Sequence, residues 1–314
     1  MTELQTRYLT SQPTDIATAA SILANGGLVG FATETVYGLG ADARNSTAVA
    51  RIYEAKGRPS FNPLIVHVPD LDEARRYVEF NDLAERLASA FWPGAMTLVL
   101  PIKQDAGISP LVTAGLDTLA IRVPDAPIAQ QLLREFGGPV AAPSANPSGQ
   151  ISPTTAQHVM NGLSGRIEAV LDAGPCGVGV ESTIIGCSDV PRLLRAGGIP
   201  VEAIEAALDQ PLQGAGEGIT APGQMTSHYA PNGTMRLNVT DPDADETVLG
   251  FGDVECAINL SPSGDLVQAA ARLFDCLHQL NDMGAQKIAV TPVPMTGLGR
   301  AINDRLTRAA APRD

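Results

Sequence analysis

At 314 residues the chain has room for one or two domains, either of which could bury a full core. A hydrophobic share of 44% and a charged share of 18% describe an ordered globular protein and exclude a disordered one. The formal net charge of −13 excludes a nucleic-acid grip spread over the whole surface, which needs clustered Lys and Arg, but allows a small anion held by a few cations in a cleft.

The opening stretch lacks a positively flanked apolar core, so no secretory leader is expected. No run reaches about 18 uninterrupted apolar residues, so no membrane span is expected either. Helix-spaced Ile16, Ala19, Ala20 and Leu23 predict a first helix, stopped by Asn25-Gly26-Gly27. "LVGFAT" (28–33) predicts a strand and "STAVARIYEAK" (46–56) a helix. "PLIVHV" (63–68), "MTLVLPI" (96–102), "TLAIRV" (118–123) and "GPVAAPS" (138–144) predict further strands, with helices at 127–136 and 154–160. Near-continuous Val, Ile and Leu runs are what strands buried on both faces look like, which predicts one α/β domain over 1–208. The Gly- and Pro-rich 209–234 is a linker by composition. Over 235–314 come strand "AINLS", a long helix with Leu266, Leu273, Leu277 and Leu280 on one stripe, strand "KIAVTPV" and helix "LGRAINDRLTRAAA". This pattern suits a smaller Rossmann-like domain.

Four cysteines without CxxC spacing predict reduced, mostly buried thiols of a cytoplasmic protein. No Walker loop, HExxH or GxSxG is present. Gly38-Leu39-Gly40-Ala41-Asp42-Ala43 matches the dinucleotide fingerprint GxGxxA, but Ser60 and Phe61 stand where the acidic ribose partner is due. These glycines are therefore expected to turn the backbone tightly beside a pocket. His158 and His278 fall in predicted helices and suit packing or surface roles, and His67 in mid-strand suits a bonded core residue or a ligand contact. Arg122 in an apolar strand needs a carboxylate, either an internal one or a ligand's.

Polar residues gather at strand ends in "TETVYGLGADA" (33–43), "KGRPSFNP" (56–63), "FWPGAMT" (91–97), "APSANPSGQISPT" (142–154), "GVESTI" (179–184) and "LLRAGGI" (193–199). In order and spacing these segments resemble the YrdC-like threonylcarbamoyl-adenylate synthases. "APGQMTSHYAP", "INLSPSGD" and "TGLGRAINDRL" resemble the long form with an additional C-terminal domain. The resemblance implies an open, twisted, mixed sheet with a concave positive cleft. It implies an enzyme that joins L-threonine, bicarbonate and ATP, with Mg²⁺, into threonylcarbamoyl-adenylate. A partner transferase would then modify tRNA, with direct tRNA contact weak or indirect.

By the same resemblance Arg122 clamps the threonine carboxylate, Thr35, His67 and Ser182 contact its amine or hydroxyl, and the Ala142 backbone lies nearby. Lys56 and Arg58 face the reacting phosphates as the catalytic cations. Asn62, Thr118, Ser144, Ser152 and Arg195 contact the nucleotide, and no protein ligand to a metal is implied. Tyr229 reaches over ATP, making 209–234 a lid. Two departures stand out: Ala32 where Pro is usual, and Thr226 and Ser227 where basic residues are frequent. An RNA-binding or ribosome-assembly protein using the same cleft is the alternative.

Overall fold

The computed structural model describes residues 4–58, 62–215 and 228–312, so the 216–227 part of the expected lid, with Thr226 and Ser227, lies outside the described residues. Its first six strands are β1 (Arg7–Leu9), β2 (Val29–Ala32), β3 (Tyr37–Asp42), β4 (Ile65–His67), β5 (Met96–Pro101) and β6 (Thr118–Arg122). The next five are β7 (Val140–Ala141), β8 (Ala169–Leu171), β9 (Thr183–Cys187), β10 (Pro191–Arg195) and β11 (Gln213–Gly214). They form one sheet in the order β1-β8-β2-β3-β7-β4-β6-β5-β9-β10-β11. Parallel pairs such as β4·β6 and β5·β9 alternate with antiparallel ones such as β2·β3 and β5·β6, so the sheet is mixed, as expected.

Eight helices accompany it: α1 (Pro13–Ala24), α2 (Ser46–Lys56), α3 (Leu71–Ala74), α4 (Asp82–Phe91), α5 (Pro110–Thr113), α6 (Pro127–Phe136), α7 (Ala156–Leu163) and α8 (Val201–Leu208). The period-2 geometry of strands sorts side chains between two cores. Val66, Leu119 and Ile121 join the main cluster, whereas Ile65 and Ala120 point the other way and join Val99 and Ile184 in a small separate one. His67 and Arg122 continue that second side.

The Gly38–Ala43 stretch departs from its expected tight turn. Gly38–Asp42 lies in β3, extended between β2 and β7. A Cβ on Gly40 would stand 2.9 Å from both Phe31 and Val140, so the glycine gives way to packing side chains rather than to a bend.

The remaining strands are β12 (Thr234–Arg236), β13 (Thr247–Gly250), β14 (Ile258–Asn259) and β15 (Lys287–Val290). They pair all-parallel in the order β12-β15-β13-β14. With α9 (Leu266–Asp282) and α10 (Gly299–Ala310), this is the second α/β unit. Asp265 caps α9 by accepting from the Val267 and Gln268 amides. Leu273, Leu277 and Leu280 are buried along its stripe, while Leu266 is partly buried.

The segment expected as linker starts inside the first sheet, because β11 pairs with β10. The two units also share a core. Val36, Ile151, Val180 and Tyr229 belong to the same apolar cluster as Leu273, Phe274 and Leu277. Among the described residues no helix is long and apolar enough to cross a membrane.

Candidate active site

His67 ends β4 and Arg122 ends β6, and the parallel register sets them directly opposite each other. Both line a narrow, partly open cavity of about 50 Å³, together with Thr35, Ala142 and Ser182. Burial, followed by the charge of Arg122, pushes the His67 imidazole down to about 3, so it is neutral at physiological pH. Its Nδ1 is buried and meets no partner among the described residues. Arg122 uses three of its five N–H donors: Nε donates to the Gly94 carbonyl at 3.1 Å, Nη1 to Thr35 Oγ1 at 2.9 Å and Nη2 to Glu34 Oε1 at 2.5 Å. The internal carboxylate that a buried arginine requires is therefore Glu34. Ser182 Oγ shares a 2.7 Å hydrogen bond with Thr97, and the Ala142 amide is spent on the Ile65 carbonyl.

The basic pair is placed by the end of α2. Asn45 caps its start, and Gly57 ends it in the left-handed region at a φ of 59°. That reversal holds Lys56 on the last turn and sends Arg58 into the cavity wall. Lys56 does not line the cavity: its ammonium donates to the Ser144 carbonyl at 2.5 Å and to that of Asn146. Burial, and then Arg58, push it well below the usual lysine range. Arg58 donates to the Asn62 and Pro63 carbonyls at 3.4 and 3.1 Å, and burial pushes it down to about 10. Among the described residues neither cation meets a carboxylate.

Of the remaining expected nucleotide contacts, Ser144, Arg195 and Tyr229 line the same cavity. Arg195 donates through Nε and Nη2 to the Ser182 carbonyl, at 3.2 and 2.9 Å. Asn62 is buried behind Arg58, and its carbonyl also accepts from Tyr53 at 3.3 Å. Ser152 sits behind the wall, donating to Glu181 Oε1 at 2.7 Å. Thr118 opens β6 while Arg122 ends it, so four residue steps place it roughly 13 Å away on the same face.

Tyr229 adopts a φ of 64°, a left-handed conformation that costs a non-glycine residue strain. Its ring lies 4.0 Å from His228 and 5.3 Å from Phe274, centroid to centroid. Burial pushes His228 down to about 3, so it too is neutral.

Sequence reasoning assigned no role to Glu34, Glu181 and Arg305. The first two stand inside the quoted segments, next to Thr35 and Ser182, and adjacency was the available signal. Arg305 stands in "INDRL", where the spacing gives no hint of a buried partner. Glu181 Oε2 accepts from Arg305 Nε at 2.8 Å, and among the described residues no other Asp, Glu or Cys lines the cavity. The donor set is thus hydroxyls, imidazoles, carbonyls and one committed carboxylate.

Comparison with known proteins bears directly on this arrangement. Residues 21–197 match the Sua5, YciO and YrdC family described as telomere recombination, and residues 199–311 match the C-terminal domain of threonylcarbamoyl-AMP synthase. The chain belongs to the threonylcarbamoyl-AMP synthase family. The enzyme of that name from Bacillus subtilis is 42% identical, with 98% of this chain and 96% of the relative covered. The Pyrococcus abyssi enzyme is 39% identical, over 95% of this chain and 94% of the relative. The crystal structure of P. abyssi Sua5 complexed with L-threonine superposes with a TM-score of 0.89 at 36% identity, covering 97% of each chain. Escherichia coli YciO superposes with a TM-score of 0.58 at 25% identity, over 64% of this chain and 98% of that one. Both units therefore have relatives within the synthase family, and the larger one carries the YrdC-like sheet.

Proposed function

We propose that the chain joins L-threonine, bicarbonate and ATP into threonylcarbamoyl-AMP, releasing pyrophosphate. The observation that carries this reading is a guanidinium and a neutral imidazole set in register inside one partly open cavity, with Arg58 and Arg195 on its other walls. A zwitterion needs that pairing. Arg122 offers a planar donor fork to a carboxylate, and a neutral imidazole offers one acceptor nitrogen to an ammonium or hydroxyl. Thr35 and Ser182 hydroxyls stand on the same wall.

In the reaction, the threonine amine and bicarbonate condense to a carbamate with loss of water. A carbamate oxygen attacks the α-phosphorus of ATP, and the bond to the bridging oxygen of the β-phosphate breaks. Charge accumulates on the α-phosphate oxygens, so cations fixed nearby stabilise that transition state. Arg58 supplies charge at the wall, and Lys56 shapes the loop that presents Ser144. The carbamate is already anionic, and both neutral histidines are weak bases, so positioning carries the catalysis.

The nucleotide extends along the β6 face toward Thr118, over a distance that suits an elongated substrate. Glu181 already serves Ser152 and Arg305, so Mg²⁺ would come as part of the ATP substrate and would supply charge neutralisation at the phosphates. A cavity of about 50 Å³ holds a few waters and not ATP. ATP is accommodated from the open side as the His228–Tyr229 wall gives way, which is the lid role assigned to the 209–234 segment. The product is a reactive mixed anhydride, so a transferase in the cytoplasm takes it on to tRNA.

Incubating the protein with ATP, Mg²⁺, bicarbonate and labelled threonine tests the reading. Pyrophosphate release that requires both threonine and bicarbonate is expected. Release without threonine overturns it, and so does no release accompanied by salt-sensitive duplex-RNA binding, which would favour the alternative use of the cleft.

A further inference from the structure

Arg305 lies on α10 of the second unit, yet its side chain is completely buried and ends beside the cavity of the first. Burying a guanidinium is costly unless every donor direction is met. Here Nε donates to Glu181 Oε2 at 2.8 Å, Nη1 to Asp304 Oδ2 at 2.5 Å and Nη2 to the Ala196 carbonyl at 2.9 Å. The Tyr229 ring packs 5.5 Å from its guanidinium carbon.

Two of these partners lead straight to nucleotide-side residues. Glu181 uses its other oxygen to accept from Ser152, and Ala196 directly follows Arg195 in the chain. One side chain thus fixes Ser152 through a carboxylate and Arg195 through the backbone. Burial would raise the Glu181 carboxyl, but Arg305 and Arg195 outweigh it and hold it down at about 2. It therefore stays an acceptor-only carboxylate, able to bridge both donors at once.

The geometry points to Arg305 as a positioning residue of the synthase, through which the seating of the C-terminal unit sets the nucleotide side of the active site. The assignment rests on the synthase reading above. It gives the second unit a chemical role: ATP binds well only when α10 is docked. Among the described residues the His67–Arg122 pair on β4 and β6 makes no contact with Arg305, while Ser182 is reached from it through its neighbour Glu181 and through Arg195. The nucleotide side should therefore respond to its loss more than the threonine side.

The test compares Arg305→Met and Arg305→Lys in the full chain, reading KM for ATP, KM for threonine and thermal midpoint. Loss of a buried charge-assisted contact is expected to raise KM for ATP by about tenfold or more in Arg305→Met, with KM for threonine changing by less than about threefold. Arg305→Lys, which keeps a cation facing Glu181, should recover a large part of the ATP affinity.

Arg305→Met could simply fail to fold, so a double-mutant cycle of Arg305→Lys with Ser152→Ala provides a second arm. If Arg305 acts through Glu181 and Ser152, its effect on KM for ATP shrinks once the Ser152 hydroxyl is gone. Additive effects overturn the assignment, as does a lowered midpoint with both KM values unchanged or moved equally. Pyrophosphate release by the unaltered chain, dependent on threonine and bicarbonate, is the control. Its absence would sink the synthase reading, whereas an additive cycle beside an active control sinks only the role of Arg305.

Discussion

Arg122 already holds a carboxylate where threonine would bring another. Glu34 Oε1 lies 2.5 Å from Nη2, and its Oε2 is buried with no partner among the described residues. Two carboxylates on one guanidinium repel each other, so on the proposed reading threonine would bind against the charge of Glu34. Glu34→Gln keeps the shape and an acceptor while removing that charge. KM for threonine should fall by about fivefold, with KM for ATP unmoved. A rise in KM for threonine would show instead that the Glu34 charge holds Arg122 in its productive orientation. The two cations proposed to serve the phosphates, Lys56 and Arg58, are separable by the same kind of measurement. Arg58→Ala should lower kcat by about a hundredfold and leave the thermal midpoint nearly unchanged, because among the described residues Arg58 bonds two carbonyls on one short stretch. Lys56→Ala should lower both, since it strands the Ser144 and Asn146 carbonyls in a buried turn.

Helices α7 and α9 meet through two histidines, where the sequence suggested unremarkable packing or surface positions. The His158 and His278 rings stack with centroids 3.8 Å apart, and His278 Nε2 lies 3.2 Å from the Ser152 carbonyl. Burial, and then His158, push His278 down to about 4, and burial pushes His158 down despite Asp275 and Asp282 nearby. Both rings are neutral when folded and titrate near 6.5 when unfolded, so below that pH the unfolded chain binds more protons. Stability from the stack is whole above about pH 6.5 and drains away as pH falls toward about 4. The thermal midpoint should therefore drop between pH 7 and pH 5. His278→Phe, which keeps a ring and removes the titration, should flatten that drop, and an unchanged slope would refute the argument.

At this scale the sequence was legible wherever a strand is buried on both faces, as in "LIVH" and "LAIR", because burial leaves an unbroken apolar run. β3 was not, because Gly38 and Gly40 alternate where side chains would signal a strand. Partnerships were less legible still. Arg122 and Glu34 are 88 residues apart and Arg305 and Glu181 are 124 apart, and no local pattern encodes such a pairing. Family motifs located the cavity residues, but not that Lys56 and Ser152 stand one contact behind its wall.

The two units hold each other through close approach as well as charge. Gly179, two residues before Glu181, has a φ of 75°, and a Cβ there would stand 2.4 Å from both Cα and the carbonyl oxygen of Ala271 on α9. Backbone cannot yield as a side-chain tip does, so an added methyl must push α9 away. The left-handed conformation adds about 1–2 kcal/mol of its own. Displacing α9 strains everything it carries against the first unit: the His278 contact to Ser152, the apolar packing of Val180 on the shared core, and through α10 the grip of Arg305 on Glu181. Gly179→Ala should lower the thermal midpoint by about 5 °C and weaken ATP binding more than threonine binding. His67 and Arg122, on β4 and β6, lie on strands that α9 does not carry, while the Ser152 and Arg305 contacts do depend on it. Gly177→Ala, two residues earlier with nothing within 4 Å of its added carbon and no left-handed backbone, is the matched control and should behave as the unaltered chain does. Equal behaviour of the two variants would mean that α9 can shift without disturbing the nucleotide side. The catalytic sheet would then work independently of the unit docked on it.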